Sequence, residues 1–174
     1  MSGDATPYGV QYLLARAAWA ADAVRDELRV YIRQHLSDPH GVMVINETGF
    51  LKKSRHSAGV ARQYSGTAGK VENCQIGVFV AYASRLGQAL LDRELYLPEE
   101  WTNDRERCRA AGIPDDRHFA TKPQLAQQML ARAFAAGLPA RCVTGDSVYG
   151  HARQRRMGLD GRPQAYVLAV SGQE

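Results

Sequence analysis

Two short apolar runs in this chain end in polar groups. The stretch "VMVINETGF" ends its apolar part at Asn46 and Glu47, and "RCVTGDSVYG" ends at Asp146. Adjacent strand ends of a sheet can bring such groups within a few ångströms. Carboxylates that meet there suit Mg²⁺, which takes hard oxygen ligands and phosphate co-ligands. Two such ions catalyse in-line phosphoryl transfer. The plainer roles are a helix cap for Asp146 and a turn for Asn46. Basic residues follow both ends. Lys52, Lys53, Arg55 and His56 follow the first, with Arg62 and Lys70 beyond, and His151, Arg153, Arg155 and Arg156 follow the second. Runs of this kind contact phosphates, with an affinity that falls steeply with salt. Any one of them taken alone reads as part of a solvated face, and the coincidence with both polar ends is what points to phosphate.

Two other motifs fail on spacing. "GTAGK", Gly66–Lys70, lacks the GxxxxGK[ST] spacing of a P-loop and sits in a hairpin. "GDSVYG" contains the Gly-Asp-Ser of one group of serine hydrolases, but only His151 follows Ser147, and a triad needs a base oriented by a third group.

The elements that would position these groups follow from periodicity. Leu13–Leu36 reads as one long amphipathic helix, with Leu14, Ala17, Ala21, Val24, Leu28, Tyr31, Ile32 and Leu36 at helical spacing. Val42–Glu47 is a short strand covered on both faces. "GVARQYSGTAGKVENCQIGVFVAYAS" gives two strands around a Gly-rich turn, the second at Cys74–Ala83, and "QALLDRELYLP" gives another. These form an antiparallel meander. "WTNDRERCRAAGIP" is a short helix. In "TKPQLAQQMLARAFAAGLP", Thr121 and Gln124 make a capping box, Pro123 sits in the first turn, and Leu125, Met129, Leu130, Ala133 and Phe134 form the buried stripe. A strand ending at Asp146, a basic helical segment "HARQRRMGL" and a last strand "AYVLAV" complete a mixed α/β sheet.

Composition narrows the class. The chain has 174 residues, 45% hydrophobic and 23% charged, enough for one domain with a real core. No apolar run reaches the ~18–20 residues that span a bilayer, so no membrane is expected. "MSGDATPYG" lacks a basic patch followed by an apolar stretch, so the expected compartment is the cytoplasm. Cys74, Cys108 and Cys142 show no metal-ligand or disulfide spacing and read as small buried hydrophobes. The net charge is +4, and 18 of the 22 basic residues are Arg, whose fork suits phosphate.

Long ordered stretches carry a resemblance. "ETGFLKKSRHSAGVARQYSGTAGKVENCQIGVFVAYAS", "LDRELYLPEEWTNDRERCRAAGIP", "FATKPQLAQQMLARA" and "VTGDSVYG" resemble, in this order, the core of DDE-type transposases of the insertion sequence 701 family. The likeness runs from about Thr6 to Glu174. It implies a ribonuclease-H-like α/β fold, a mixed five-stranded sheet flanked by helices, here preceded by the long N-terminal helix. It divides the chain into an N-terminal helical segment, 1–40, and a partial catalytic domain, 41–174. It implies DNA transposition, in which three carboxylates hold two Mg²⁺ or Mn²⁺ that activate water and then a DNA 3′-hydroxyl.

Carried over position by position, the family's first Asp falls on Asn46, its second on Asp146, and its third acid, a Glu on a later helix, beyond residue 174. Asn46 keeps the shape and one oxygen of Asp but loses the charge, and a neutral amide is a weak partner for Mg²⁺. Glu47 is the nearby acid that could join Asp146 as a metal ligand, although alternation along a strand turns it to the opposite face. Metal binding is therefore expected to be weak. The resemblance implies a transposase-like protein that is truncated and catalytically impaired. The alternatives are a non-catalytic DNA-binding remnant that interferes with a full-length transposase, and an active nuclease using Asp146 and Glu47. Implied partners are DNA at the element ends, a second copy, or a full-length transposase. DNA contacts are expected from Lys52, Lys53, Arg55, Arg62, Lys70, Arg153, Arg155 and Arg156, at the bacterial nucleoid.

Overall fold

In the computed structural model, which describes residues 8–16, 18, 20–150 and 165–169, a ten-residue strand, β1 (Val42–Leu51), lies at the middle of a six-stranded mixed sheet. On one edge it pairs antiparallel with β3 (Lys70–Ser84), from Val42↔Ala83 to Leu51↔Cys74. On the other it pairs parallel with β5 (Cys142–Gly145), which in turn pairs parallel with β6 (Ala165–Leu168). β2 (Ala61–Ser65) and β4 (Gly87–Tyr96) both pair antiparallel with β3. The sheet has one strand more than the five expected, and β1 runs past Glu47 because its ladder with β3 continues for four more residues. The β2–β3 hairpin turns through Gly69, whose φ of 68° is open to glycine at little cost.

Met43 and Ile45 of β1 and Ile76, Val78, Val80 and Tyr82 of β3 point to one face and are buried. Helices α2 (Ala21–His35) and α5 (Lys122–Ala135) pack on that face with Ile32, Leu125, Met129, Leu130 and Ala133. α5 starts with the expected capping box, Thr121 and Gln124 each capping the other's backbone N–H. On the opposite face Val42, Val44, Phe79 and Ala81 are only half-buried, so β1 is not covered on both sides. A second, smaller cluster joins Leu97, Trp101, Cys108 and Ile113 around the short helices α3 (Glu99–Thr102) and α4 (Arg105–Ala110).

The single N-terminal helix expected over Leu13–Leu36 is instead two, α1 (Tyr8–Ala15) and α2, with Ala20 extended between them. The Ala-rich segment has good intrinsic helix propensity. What distinguishes the two is packing: α2 buries Ile32 and Arg29, whereas Tyr8, Val10, Tyr12 and Leu13 of α1 are exposed. The segment "HARQRRMGL" lies outside the described residues. Cys74 and Cys108 are buried and Cys142 half-buried, all as free thiols.

At the start of β1 a buried polar knot fixes the strand. The Tyr82 hydroxyl accepts from Asp38 N–H (3.0 Å) and faces the carbonyls of Asp38 and Pro139, each at 2.9 Å. One hydroxyl proton serves one of these at a time. A Cβ on Gly41 would lie 2.1 Å from that hydroxyl, so only glycine fits there. The Arg85 guanidinium, 2.8 Å from Asp38, holds the buried Asp38 carboxyl below its ordinary range, helped by the His40 N–H. A depressed carboxyl contributes stability above its unfolded value, about 3.9, and that contribution is lost as pH falls through the folded value. The urea midpoint is therefore expected to fall as pH drops below about 4. Asp38→Asn should flatten that part of the pH profile, and an unchanged acid limb would show that Asp38 is not responsible.

Candidate catalytic edge and nucleic-acid interface

Parallel pairing of β1 with β5 ends at Ile45↔Gly145. Beyond this pair come Asn46, still within β1, and Asp146, the first residue after β5, so both lie at the end of the parallel ladder. Both are exposed. Asn46 Oδ1 accepts its neighbour's N–H, from Glu47, at 2.8 Å. Asp146 Oδ1 accepts from Val148 N–H at 3.0 Å and so caps the one-turn helix α6 (Ser147–Gly150).

Glu47 does not share this edge. It is half-buried and follows Met43 and Ile45 in the alternation toward the helical face. Its carboxylate lies 2.5 Å from Lys122 Nζ, at the start of α5, and accepts from the Tyr149 hydroxyl at 3.3 Å. Tyr149 is fully buried. Burial, then the Glu47 and Asp146 charges, push its phenol far above the ordinary value, so it acts only as a neutral donor. Lys122 Nζ also lies 5.7 Å from the Tyr96 ring centroid. This chain of contacts ties the middle of β1 to α5 and α6. Sequence reasoning missed Lys122 and Tyr149. The spacing of Asp146 and Tyr149, one helical turn apart, was the available signal for Tyr149.

A divalent ion at the edge would find one carboxylate, Asp146, and one amide oxygen, Asn46, each already accepting one N–H. Among the described residues no three His, Cys, Asp or Glu side chains converge as a metal site. Two Mg²⁺ ions need more anionic oxygen than this. The described residues do not fit a two-ion centre.

Of the basic residues, Lys53, Arg55 and Arg62 are exposed and Lys52 half-buried, and among the described residues none of the four makes an ion pair. Lys70 differs, because it pairs with Glu72 at 2.8 Å and its charge is offset locally. His151, Arg153, Arg155 and Arg156 lie outside the described residues. No helix among the described residues is long and apolar enough to cross a membrane.

Comparison with known proteins adds to this geometry. A family model described as "DDE superfamily endonuclease" matches residues 4–174. A curated relative, the probable transposase for insertion sequence element IS701 of Microchaete diplosiphon, is 29% identical over 164 residues. That alignment covers 93% of this chain and 40% of the relative, so the chain spans less than half the length of the protein it matches. No solved structure matches.

Proposed function

This chain belongs to the DDE superfamily endonuclease family, and from that premise we propose that it is a transposase-like protein of DNA transposition whose own catalytic edge is impaired. The observation that supports the reading is the parallel ladder that ends at Ile45↔Gly145, the residues just before the exposed Asn46 and Asp146. The edge then corresponds to the place where the family gathers its metal-binding acids, and the uncharged Asn46 weakens it. Mg²⁺ or Mn²⁺ remains the expected cofactor, weakly held. DNA at the element ends is the proposed substrate, and Lys52, Lys53, Arg55 and Arg62 are the proposed backbone contacts, with Arg153, Arg155 and Arg156 beyond the described residues. The site of action is the nucleoid.

The test uses supercoiled plasmid and Mn²⁺. The unmodified chain is expected to leave the plasmid intact, and Asn46→Asp is expected to tighten Mn²⁺ binding at least about tenfold by adding a second carboxylate. Asp146→Ala in the Asn46→Asp background should abolish that gain. Metal-dependent nicking by the unmodified chain, lost in Asp146→Ala, would reject the impairment and favour an active nuclease.

A second reading is a non-catalytic DNA-binding protein that interferes with a full-length transposase, by occupying its DNA or by associating with it. The exposed basic residues without ion pairs beside an incomplete acid set favour it. Co-expression should then lower the transposition frequency of an intact relative, and an unchanged frequency removes this reading.

A further inference from the structure

Between β1 and β2 the chain passes through Lys52, Lys53, Ser54, Arg55 and His56, then Ser57 to Val60. Like charges packed this closely repel, and an unsupported loop of this kind would sample many shapes. Here the carbonyls are taken up almost in succession. Asn73 Nδ2 donates to Lys52 O (2.6 Å) and Ser54 O (3.2 Å), while Lys52 N–H donates to Asn73 O at 2.9 Å. Arg107 Nη2 donates to Arg55 O (3.2 Å), Gln75 Nε2 to Ala58 O (2.7 Å), Gln63 Nε2 to Gly59 O (3.3 Å) and Trp101 Nε1 to Val60 O (2.8 Å). Arg107 is itself fixed, its guanidinium lying 3.8 Å over the Trp101 ring. The donors stand on β2, β3, α3 and α4. The loop backbone is fastened from beneath, and Lys53, Arg55 and His56 remain exposed.

We propose that Lys52–Val60 is a preorganised cradle for the DNA phosphate backbone, and that Asn73 and Arg107 are positioning residues for it. The proposal rests on the reading of this chain as a DNA-acting protein. Its physical basis is entropic: a loop ordered only on binding gives up affinity for each residue it fixes. This loop has been ordered by folding. Its place in the fold suits the role. Lys52 follows Asn46 by six residues of one paired strand, about 20 Å, which is within one turn, about 34 Å, of duplex DNA.

The experiment measures binding of the chain to a labelled 30-base-pair duplex of arbitrary sequence across a salt series, with limited trypsin digestion in parallel. Lys53→Ala, which removes a phosphate contact, is expected to reduce the salt slope by about 0.9. Asn73→Ala removes no charge. It is expected to leave the slope unchanged, weaken binding about tenfold, and speed trypsin cleavage after Lys52, Lys53 and Arg55. If Asn73→Ala does not fold, Arg107→Lys, which keeps the charge but loses the guanidinium fork, is expected to give the same pattern. Wild-type binding with Asn73→Ala binding equally tightly overturns the proposal even if trypsin cuts faster. A slope reduced as in Lys53→Ala overturns it too, because the variant would then have lost a cationic phosphate contact outright rather than the prior ordering of the loop. No binding by the wild-type chain is a different result, which rejects the DNA reading itself.

Discussion

Replacing Trp101 by alanine is expected to destabilise the chain by about 4 kcal/mol, within the range for large aromatic-to-alanine changes in cores. The side chain is fully buried and is the centre of the cluster of Leu97, Cys108 and Ile113. Its indole N–H holds the Val60 carbonyl at 2.8 Å, Cys108 Sγ donates to the Trp101 carbonyl at 3.0 Å, and Arg107 stacks on the Trp101 ring. Removing the ring therefore opens a cavity, leaves the Val60 carbonyl without its indole donor and frees Arg107 together. A domain of this size is stable by about 5–15 kcal/mol, so the loss is a large fraction of the total. Urea denaturation measures it. Trp101→Phe keeps most of the volume but not the donor and should cost much less, about 1–2 kcal/mol. Equal losses for the two variants would mean that the hydrogen bond, not the packing, dominates.

Asp92→Ala is expected to cost about 3 kcal/mol. Opposite Val80 and Ala81 of β3, β4 carries one extra residue, Leu91, so that both Leu91 and Asp92 are buried on consecutive positions. The Asp92 side chain is wholly inaccessible, and it receives Arg132 Nε at 2.9 Å, with Arg25 Nε at 3.8 Å. Arg132 is partly buried, which opposes its charge, yet Asp92 and Glu94 outweigh that burial and hold its pKa up. Losing one partner of a buried pair costs about 3–5 kcal/mol because the other charge is left uncompensated. The lower end applies here, since Arg132 keeps Glu94 at 2.7 Å. The double variant Asp92→Ala, Arg132→Met removes the stranded charge and should recover part of the loss. If the double variant is less stable than the sum of the singles, the pair is not coupled in this way.

Local sequence signals identified the elements whose causes are local. The capping box of α5 is written in Thr121 and Gln124, three residues apart, and the β2–β3 hairpin in the glycines of its turn. Two apolar runs that end in polar residues raised the possibility that Asn46 and Asp146 lie near one another, and the parallel ladder that stops one residue short of each agrees with it. What could not be read depends on partners distant in sequence. Nothing near Glu47 announces that Lys122 and Tyr149 will claim its carboxylate, 75 and 102 residues later. Asn73, Gln75 and Gln63 look like ordinary polar strand residues until the carbonyls they hold are known. The break before α2 is similar, because helix propensity continues through it and packing onto the sheet does not.

The parallel ladder between β1 and β5 also sets an order of assembly. β1, β3 and β4 can pair through short connections as soon as residue 96 is available. The Ile45↔Gly145 pair closes a loop of about 100 residues, and contacts that distant form late in folding. On the ribosome, the meander can therefore begin to form while the strand that leads to Asp146 has yet to be synthesised. The residues that hold the basic loop are all in place by Arg107, before β5 and Asp146 are reached in the chain. A nascent chain would thus be able to meet phosphate before it has a candidate catalytic edge to present.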